Sequence, residues 1–252
     1  MARINLRKFI AEHYKGGVTA RDVIREGVTN SIHAGANEVL VDLRFEKQSG
    51  LFGDDVRDVL DTITISDNGE GFTPDNLNYF DEICTGHKDD IGGKGVGRLA
   101  FLKYANRVEI RSQLPLNLVE FRYTSDFKPD DVKRTSASGK LETTISISEL
   151  KEKINTQVTK LVNSMCDDLR LLLFLKKQAG KAISVTFTHN SKQPFPDTFV
   201  LSGEQIEALK TRSFEVSGET FDCYLFREEA PPQGDRRDAL CRSIMRRRIY
   251  NQ

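Results

Sequence analysis

The chain has no excess of either charge: 37 Lys and Arg stand against 37 Asp and Glu in 252 residues. That balance removes the global positive field of a protein that holds nucleic acid over its whole surface, and no long acidic run is present to act as a solvating tail. Any charged partner has to be recognised locally. Cysteine is scarce. Cys84, Cys166, Cys223 and Cys241 lie far apart, at neither C-x-x-C nor Cys/His zinc spacing, and read as reduced thiols of a cytoplasmic protein. No run approaches the ~20 apolar residues of a membrane span. The start, "MARINLRKFIAEHY", carries charges through its apolar positions and has no cleavage-like pattern. Repeats and low-complexity blocks are absent. Ser31 lacks the G-x-S-x-G elbow of a hydrolase, and His13, His87 and His189 have no partners at metal-ligand spacing.

The length suits one large domain, or one domain and part of a second. Residues 4 to 14 read as a helix ended by Gly16 and Gly17. Thr19, with Asp22 three residues on, approximates a capping box for a second helix that Gly35 terminates. "NEVLVDLRFE" alternates like a strand. A polar stretch from Lys47 to Asp58 separates it from "DTITISDNGEGF", in which Ile63 and Ile65 share a face. "TPDNLNYFDEI" predicts a short helix, "CTGHKDDIGGKGVG" a long loop and "RLAFLKYA" another helix. "RVEIRSQ", "LVEFRYT" and "LETTISIS" follow as three strands. Residues 149 to 178 read as one long helix or two abutting ones, with "LRLLLFLKK" buried on most sides, and "AISVTFTH" closes this part of the sheet. From Ser191, "SKQPFPDTF" reads as a linker. The domain boundary is set there: residues 1–190 form one domain, and 191–252 are a linker and the start of a second. The arginines at the end (Arg236, Arg237, Arg242, Arg246, Arg247, Arg248) read as a solvated tail.

Three stretches carry chemistry. In "REGVTNSIHAGANEV", residues 25 to 39, Glu26 and Asn30 sit one turn apart on a helix whose Val23, Ile24 and Val28 serve a core. An amide oxygen suits a magnesium ion that holds phosphates, and a carboxylate beside it can orient or deprotonate a water. In "SDNGEGF", Asp67 ends a strand and is followed by Gly69 and Gly71. This offers one acceptor beside closely approachable backbone, suited to an exocyclic amine such as that of adenine. "IGGKGVGR", residues 91 to 98, immediately precedes a helix. Its N–H groups and the helix end suit a polyphosphate, with Lys88, Lys94 and Arg98 adding charge. It has neither the G-x-x-x-x-G-K-[ST] spacing of a P-loop nor the G-x-G-x-x-G of a Rossmann turn.

The order of these elements, helical Glu/Asn, strand-Asp-x-Gly-x-Gly, glycine loop and helix, then strand-Thr, resembles the GHKL superfamily of ATPases. Its members include DNA gyrase B, the ninety-kilodalton heat-shock chaperones, histidine kinases and mismatch-repair MutL. The resemblance covers roughly residues 20 to 190 and is closest in style to the MutL, chaperone and MORC kinds. It implies a Bergerat fold: a two-layer α/β sandwich with a mixed, mostly antiparallel sheet and helices on one face. It implies ATP and Mg2+ as ligands, with Glu26 activating water, Asn30 ligating magnesium and Asp67 on the adenine amine with Gly69 and Gly71. Lys88, Gly92, Gly93, Lys94, Gly95, Val96, Gly97 and Arg98 would wrap the phosphates, and Thr144, in "ETTISIS", would support the adenine carboxylate. His33 stands where relatives commonly have Asp, and Thr143 where Gly usually precedes the Thr.

The activity implied is magnesium-dependent ATP hydrolysis that drives a nucleotide-dependent homodimer. Residues 191–252 would begin a transducer-like domain, and the switch would act on a DNA or protein client, with no membrane. A non-hydrolysing ATP sensor is the alternative. A histidine-kinase catalytic domain is less favoured, because no helical hairpin with a phosphoacceptor histidine precedes residue 20.

Overall fold

The computed structural model describes residues 6–49, 56–81, 96–152, 156–216, 219–227 and 241–247. In chain order they form α1 (Leu6–His13), α2 (Ala20–His33), β1 (Glu38–Ser49), β2 (Val56–Asp67), α3 (Pro74–Asp81), α4 (Leu99–Tyr104), β3 (Ala105–Gln113) and β4 (Asn117–Arg122). These are followed by β5 (Lys133–Ser136), β6 (Glu142–Leu150), α5 (Val158–Gln178), β7 (Ser184–His189), β8 (Thr198–Ser202), β9 (Ala208–Val216), β10 (Glu219–Arg227) and β11 (Cys241–Arg247). The chain divides into two units, residues 1–166 with 183–201 and residues 167–182 with 202–252.

The first unit is built on an eight-stranded sheet in the order β5-β4-β3-β6-β2-β1-β7-β8. From β5 to β1 every neighbour pair is antiparallel. The β1–β7 pair is parallel, Val39 opposite Val185 and Val41 opposite Phe187, so the sheet is mixed and mostly antiparallel. Alternation gives the sheet one apolar face. Val39, Val41 and Leu43 on β1, Ile63 and Ile65 on β2, Val108 and Ile110 on β3, Ile145 and Ile147 on β6, and Val185 and Phe187 on β7 are all buried. Their neighbours on the other face, among them Thr64, Ser66, Thr144 and Ser146, stay half-exposed. Helix α2 covers β1 and β2, and α4 covers β3, contributing Val23, Ile24, Val28 and Leu99 at zero exposure. The resulting two-layer α/β arrangement is the one the sequence implied.

Local signals set the element ends. Thr19 caps α2 in a true capping box: its hydroxyl accepts from the Asp22 N–H at 3.3 Å, and Asp22 accepts from the Thr19 N–H at 3.0 Å. Gly35, at φ +81, ends the helix in the left-handed region. Thr73 accepts from the Asn76 N–H at 3.2 Å ahead of Pro74, the first residue of α3. In β2, the register shift between Arg44 and Phe45 leaves Asp61 as an unopposed bulge residue. Asn190 repairs the edge beside that bulge by bonding both the N–H and the C=O of Phe45, at 2.7 and 3.1 Å.

Four expectations change here. The polar stretch 47–58 is in large part strand, since β1 runs to Ser49 and β2 starts at Val56. The stretch from Ser191, linker-like in composition, is pinned: Ser191 and Lys192 donate to Asp58 at 2.7 and 3.1 Å, and Gln193 bonds Val158 and Thr156. β8 then forms the sheet edge beyond β7. "LRLLLFLKK" is not buried on most sides: Leu169, Leu173 and Phe174 are buried, while Leu171, Leu172 and Leu175 are half-exposed. The basic end contains a strand, β11, paired antiparallel with β10, where a frayed tail was expected.

The second unit holds the last part of α5 and the sheet β11-β10-β9. Phe174 meets Tyr224 and Phe226 at 5.3 and 5.4 Å between ring centroids, and Ser213 donates to buried Asp222 at 2.6 Å.

Helix α2 approaches β2 unusually closely at Gly27, where a Cβ would overlap the Ile65 Cδ1. Gly27→Ala is therefore expected to destabilise the protein by about 1–3 kcal/mol through overpacking, less the ~1 kcal/mol that alanine returns as helix propensity. Ile65→Val removes the offending Cδ1. Urea unfolding of both single variants and the double variant should show Ile65→Val recovering much of the loss caused by Gly27→Ala, and simple additivity would exclude this contact as the cause.

Candidate functional site

The site is assembled around α2. Glu26 and Asn30 lie half-buried one turn apart, and the Asn30 Nδ2 donates to Glu26 Oε1 at 2.9 Å. This bond is made by the amide nitrogen, so the Asn30 Oδ1 acceptor is not used in it. The next residue, Ser31, is buried, and its hydroxyl lies 2.7 Å from Asp67 Oδ2 and 3.1 Å from the Gly27 carbonyl. One helix thus carries the Glu/Asn pair and also holds the carboxylate at the end of β2.

Asp67 is 8% exposed. Its Oδ1 accepts from the Gly69 N–H at 2.9 Å. Burial pushes its carboxyl above the ordinary 3.8, against the downward pull of the bonds from Ser31 and Gly69. Two bonds leave part of the carboxylate's acceptor capacity unused. The loop after Asp67 is drawn onto the end of α2: the Glu70 N–H donates to the Ala34 carbonyl at 2.9 Å, and a Cβ on Gly69 would come within 2.8 Å of that same oxygen. Asn68 fixes the other side by accepting from the N–H groups of Asn37 and Glu38 at 3.0 and 3.1 Å. Gly71, at φ +73, lies against the Ser112 hydroxyl, with no room for a Cβ.

Strand register separates the two neighbouring threonines onto different faces. Asp67 is opposite Thr143, and Thr143 is opposite Ser112, so the three share the buried face. The Ser112 and Thr143 hydroxyls are 3.0 Å apart, and the Phe72 N–H donates to Ser112 at 3.0 Å. Thr144, the residue the resemblance pointed to, lies on the opposite face, 3.0 Å from the Ser66 hydroxyl. The separation follows from the period of a strand, in which neighbours point to opposite sides. Ser31, Ser112 and Thr143, the buried hydroxyls grouped around Asp67, were not among the expected site residues. Thr143 was one strand position away from recognition, whereas Ser112 has no local signal and is found only through pairing.

Of the glycine loop, Lys88, Gly92, Gly93, Lys94 and Gly95 lie outside the described residues. Val96 is buried, and Gly97 lies so close to Glu26 that a Cβ there would coincide with the carboxylate. Arg98, expected among the phosphate contacts, is 8% exposed with its guanidinium 5.1 Å over the Phe80 ring. Phe80 itself belongs to an aromatic cluster with Phe72, Phe121, Tyr123 and Phe127. The cation–π contact anchors the start of α4 to α3. Helix α4 is only six residues long, so it contributes a smaller dipole than a full helix. His33 sits half-buried in the last turn of α2. Among the described residues, no three His, Cys, Asp or Glu side chains group closely enough to hold a metal ion, and no helix is long and apolar enough to cross a membrane.

A mixed sheet covered by a helix that carries Glu26 and Asn30, with a buried carboxylate bonded to that same helix, defines a two-layer α/β sandwich with a polar site between its layers. The sequence model described as "Histidine kinase-, DNA gyrase B-, and HSP90-like ATPase" matches residues 18–158, more than half of the chain. The chain belongs to that family. Among solved structures it is similar to the N-terminal domain of a DNA repair protein, at 15% identity and a TM-score of 0.48, covering 90% of this chain and 72% of that one. It is also similar to the Aquifex aeolicus MutL ATPase domain complexed with ADP, at 15% identity and a TM-score of 0.41, covering 84% and 78% of the two chains. No curated protein matches the chain.

Two outcomes test the geometry. Thr143→Val leaves Ser112 without its buried hydroxyl partner and should cost about 1–3 kcal/mol; Thr144→Val should cost well under that, because Ser66 on the half-exposed face can turn to water. Equal losses in urea unfolding would reverse the assignment of faces. For Asp67 the raised carboxyl means that its contribution to stability is full below the unfolded value of 3.8 and is lost as pH rises through the folded one. The stability of Asp67→Asn relative to the natural chain should therefore climb across that window and level off above it. A difference that is flat or falling with pH would contradict the burial of a charged carboxylate.

Proposed function

We propose that the chain binds ATP with Mg2+, hydrolyses it, and uses the bound state to pair with a second copy of itself. The observation that carries this reading is the continuity of α2: Glu26 and Asn30 are joined by one residue step to Ser31, whose hydroxyl is bonded to Asp67. Asp67 keeps acceptor sites for the adenine amine, with Thr143 in place of Thr144 beside it on the same strand row. Asn30 Oδ1 is a hard oxygen donor. A single such oxygen suits an ion that keeps its waters and brings phosphate oxygens as its other ligands. Bound magnesium supplies charge neutralisation on the phosphates.

Glu26 has the protein's part in the chemical step. It orients a water and takes its proton as the water oxygen bonds the terminal phosphorus and the bond to the bridging oxygen breaks, releasing ADP and phosphate. The glycine segment 92–97, with Lys88 and Lys94, is assigned to the phosphates by its sequence. Residues 191–252 would begin a transducer-like domain through which the nucleotide state reaches a DNA or protein client in the cytoplasm.

Glu26→Ala should reduce turnover about 10²–10⁴-fold while nucleotide binding is retained, and Asp67→Ala should abolish binding. Sedimentation with and without a non-hydrolysable ATP analogue and magnesium should show a monomer becoming a dimer. Tight binding with no turnover in the natural chain would make it an ATP sensor; no binding would end the reading altogether.

A further inference from the structure

Tyr14 follows α1 and precedes the Gly16–Gly17 turn, far in sequence from the glycine segment. Its hydroxyl nevertheless donates to the Val96 carbonyl at 3.3 Å and stands 3.5 Å from the Gly97 carbonyl. The His13 ring meets it edge-on at 4.8 Å and stacks on Phe9 at 5.7 Å, which limits how far the phenol can swing. The two carbonyls belong to the backbone that leads into α4. At Gly97 that backbone has no side chain, and it is pressed directly against the Glu26 carboxylate.

Glu26 is thus confined from two sides. Asn30 donates to Oε1 from within α2, and the Gly97 backbone closes the other side. Tyr14 holds this backbone from without. Burial, and then the charges of Glu26 and Asp22, raise the Tyr14 phenol above its ordinary value of 10.0. That direction is consistent with the nearness of the hydroxyl to Glu26.

We propose that Tyr14 is a positioning residue for ATP hydrolysis, its hydroxyl fixing the backbone at Val96 and Gly97 against Glu26 and so setting the direction in which that carboxylate meets water. The proposal rests on the reading of Glu26 as the water-activating group. The effect of Tyr14 passes through the backbone at Gly97 to Glu26.

The test is Tyr14→Phe, which removes only the hydroxyl, measured beside the natural chain and Glu26→Ala. Steady-state turnover, affinity for a non-hydrolysable ATP analogue and melting temperature are recorded for each. Turnover should fall about 10-fold, equivalent to ~1.4 kcal/mol, while affinity changes less than about 2-fold and the melting temperature is little moved. Unchanged turnover overturns the inference, and so does a parallel loss of turnover, affinity and melting temperature, which marks a purely structural bond. If the natural chain turns over and Glu26→Ala does not, an unaffected Tyr14→Phe removes this inference alone; if the natural chain has no turnover, the functional reading falls and this one with it. A second measurement is independent of turnover. Tyrosinate absorbance, taken as the difference between chains with and without Tyr14, should titrate at lower pH in a Glu26→Gln background, and an unmoved titration refutes the proximity on which the inference depends.

Discussion

Everything at the site depends on how near α2 lies to β2. The Ser31 hydroxyl reaches Asp67 at 2.7 Å only because the helix one turn earlier has Gly27 facing Ile65, with no Cβ to hold the two layers apart. Layers in α/β sandwiches are ordinarily separated by interdigitated side chains. Here a single missing side chain converts an apolar contact into a place where a hydroxyl and a carboxylate can meet. The same device recurs at Gly97, where the missing Cβ admits the Glu26 carboxylate, and at Gly71, where it admits the Ser112 hydroxyl. In each case the glycine makes room for a polar group of the protein itself, and its role is steric as much as conformational.

Such closeness has an energetic consequence. A carboxylate removed from water on the apolar side of a sheet opposes folding, and the bonds from Ser31 and Gly69 offset that cost only in part. The surrounding core has to carry the remainder. Val23, Ile24, Val28, Ile63 and Ile65 are all at zero exposure around the same helix and strand, each contributing roughly 1.5–3 kcal/mol on burial. Dense apolar packing and a strained polar site are adjacent because the first supports the second.

The sheet was legible wherever strict alternation was present, as in β1, β3, β6 and β7, and α2 was legible from its capping box and its terminal glycine. Two strands of this eight-stranded sheet escaped for physical reasons. β5 is four residues of exposed charge and hydroxyl, "KRTS", with no apolar face to announce it; β8 follows a proline-bearing stretch whose hydrogen bonds are supplied by distant Asp58, Val158 and Thr156. At the candidate site, the pairing of Glu26 with Asn30 and the turn after Asp67 were readable because helix spacing and a turn motif are local. Thr143 against Thr144 was not, because adjacent threonines are equivalent until a partner strand fixes which one looks inward. The place of Arg98 was hidden for a related reason: its charge was visible in the sequence, but Phe80, the ring it lies over, was known only after folding.

The parallel pairing of β1 with β7 has a consequence for where this domain ends. The sequence shared with the family stops at residue 158, yet the edge of β1 from Glu38 to Leu43 is covered by residues 184–189. A chain cut at the end of the shared region would present Val39, Val41 and Leu43 along an open, apolar strand edge, an invitation to intermolecular β-pairing. During synthesis the same edge waits uncovered until residues 184–189 have been made, and closing it demands a long-range contact of the kind that slows folding. The stretch shared with the family and the stretch that closes the β1 edge are therefore different lengths of the same polypeptide.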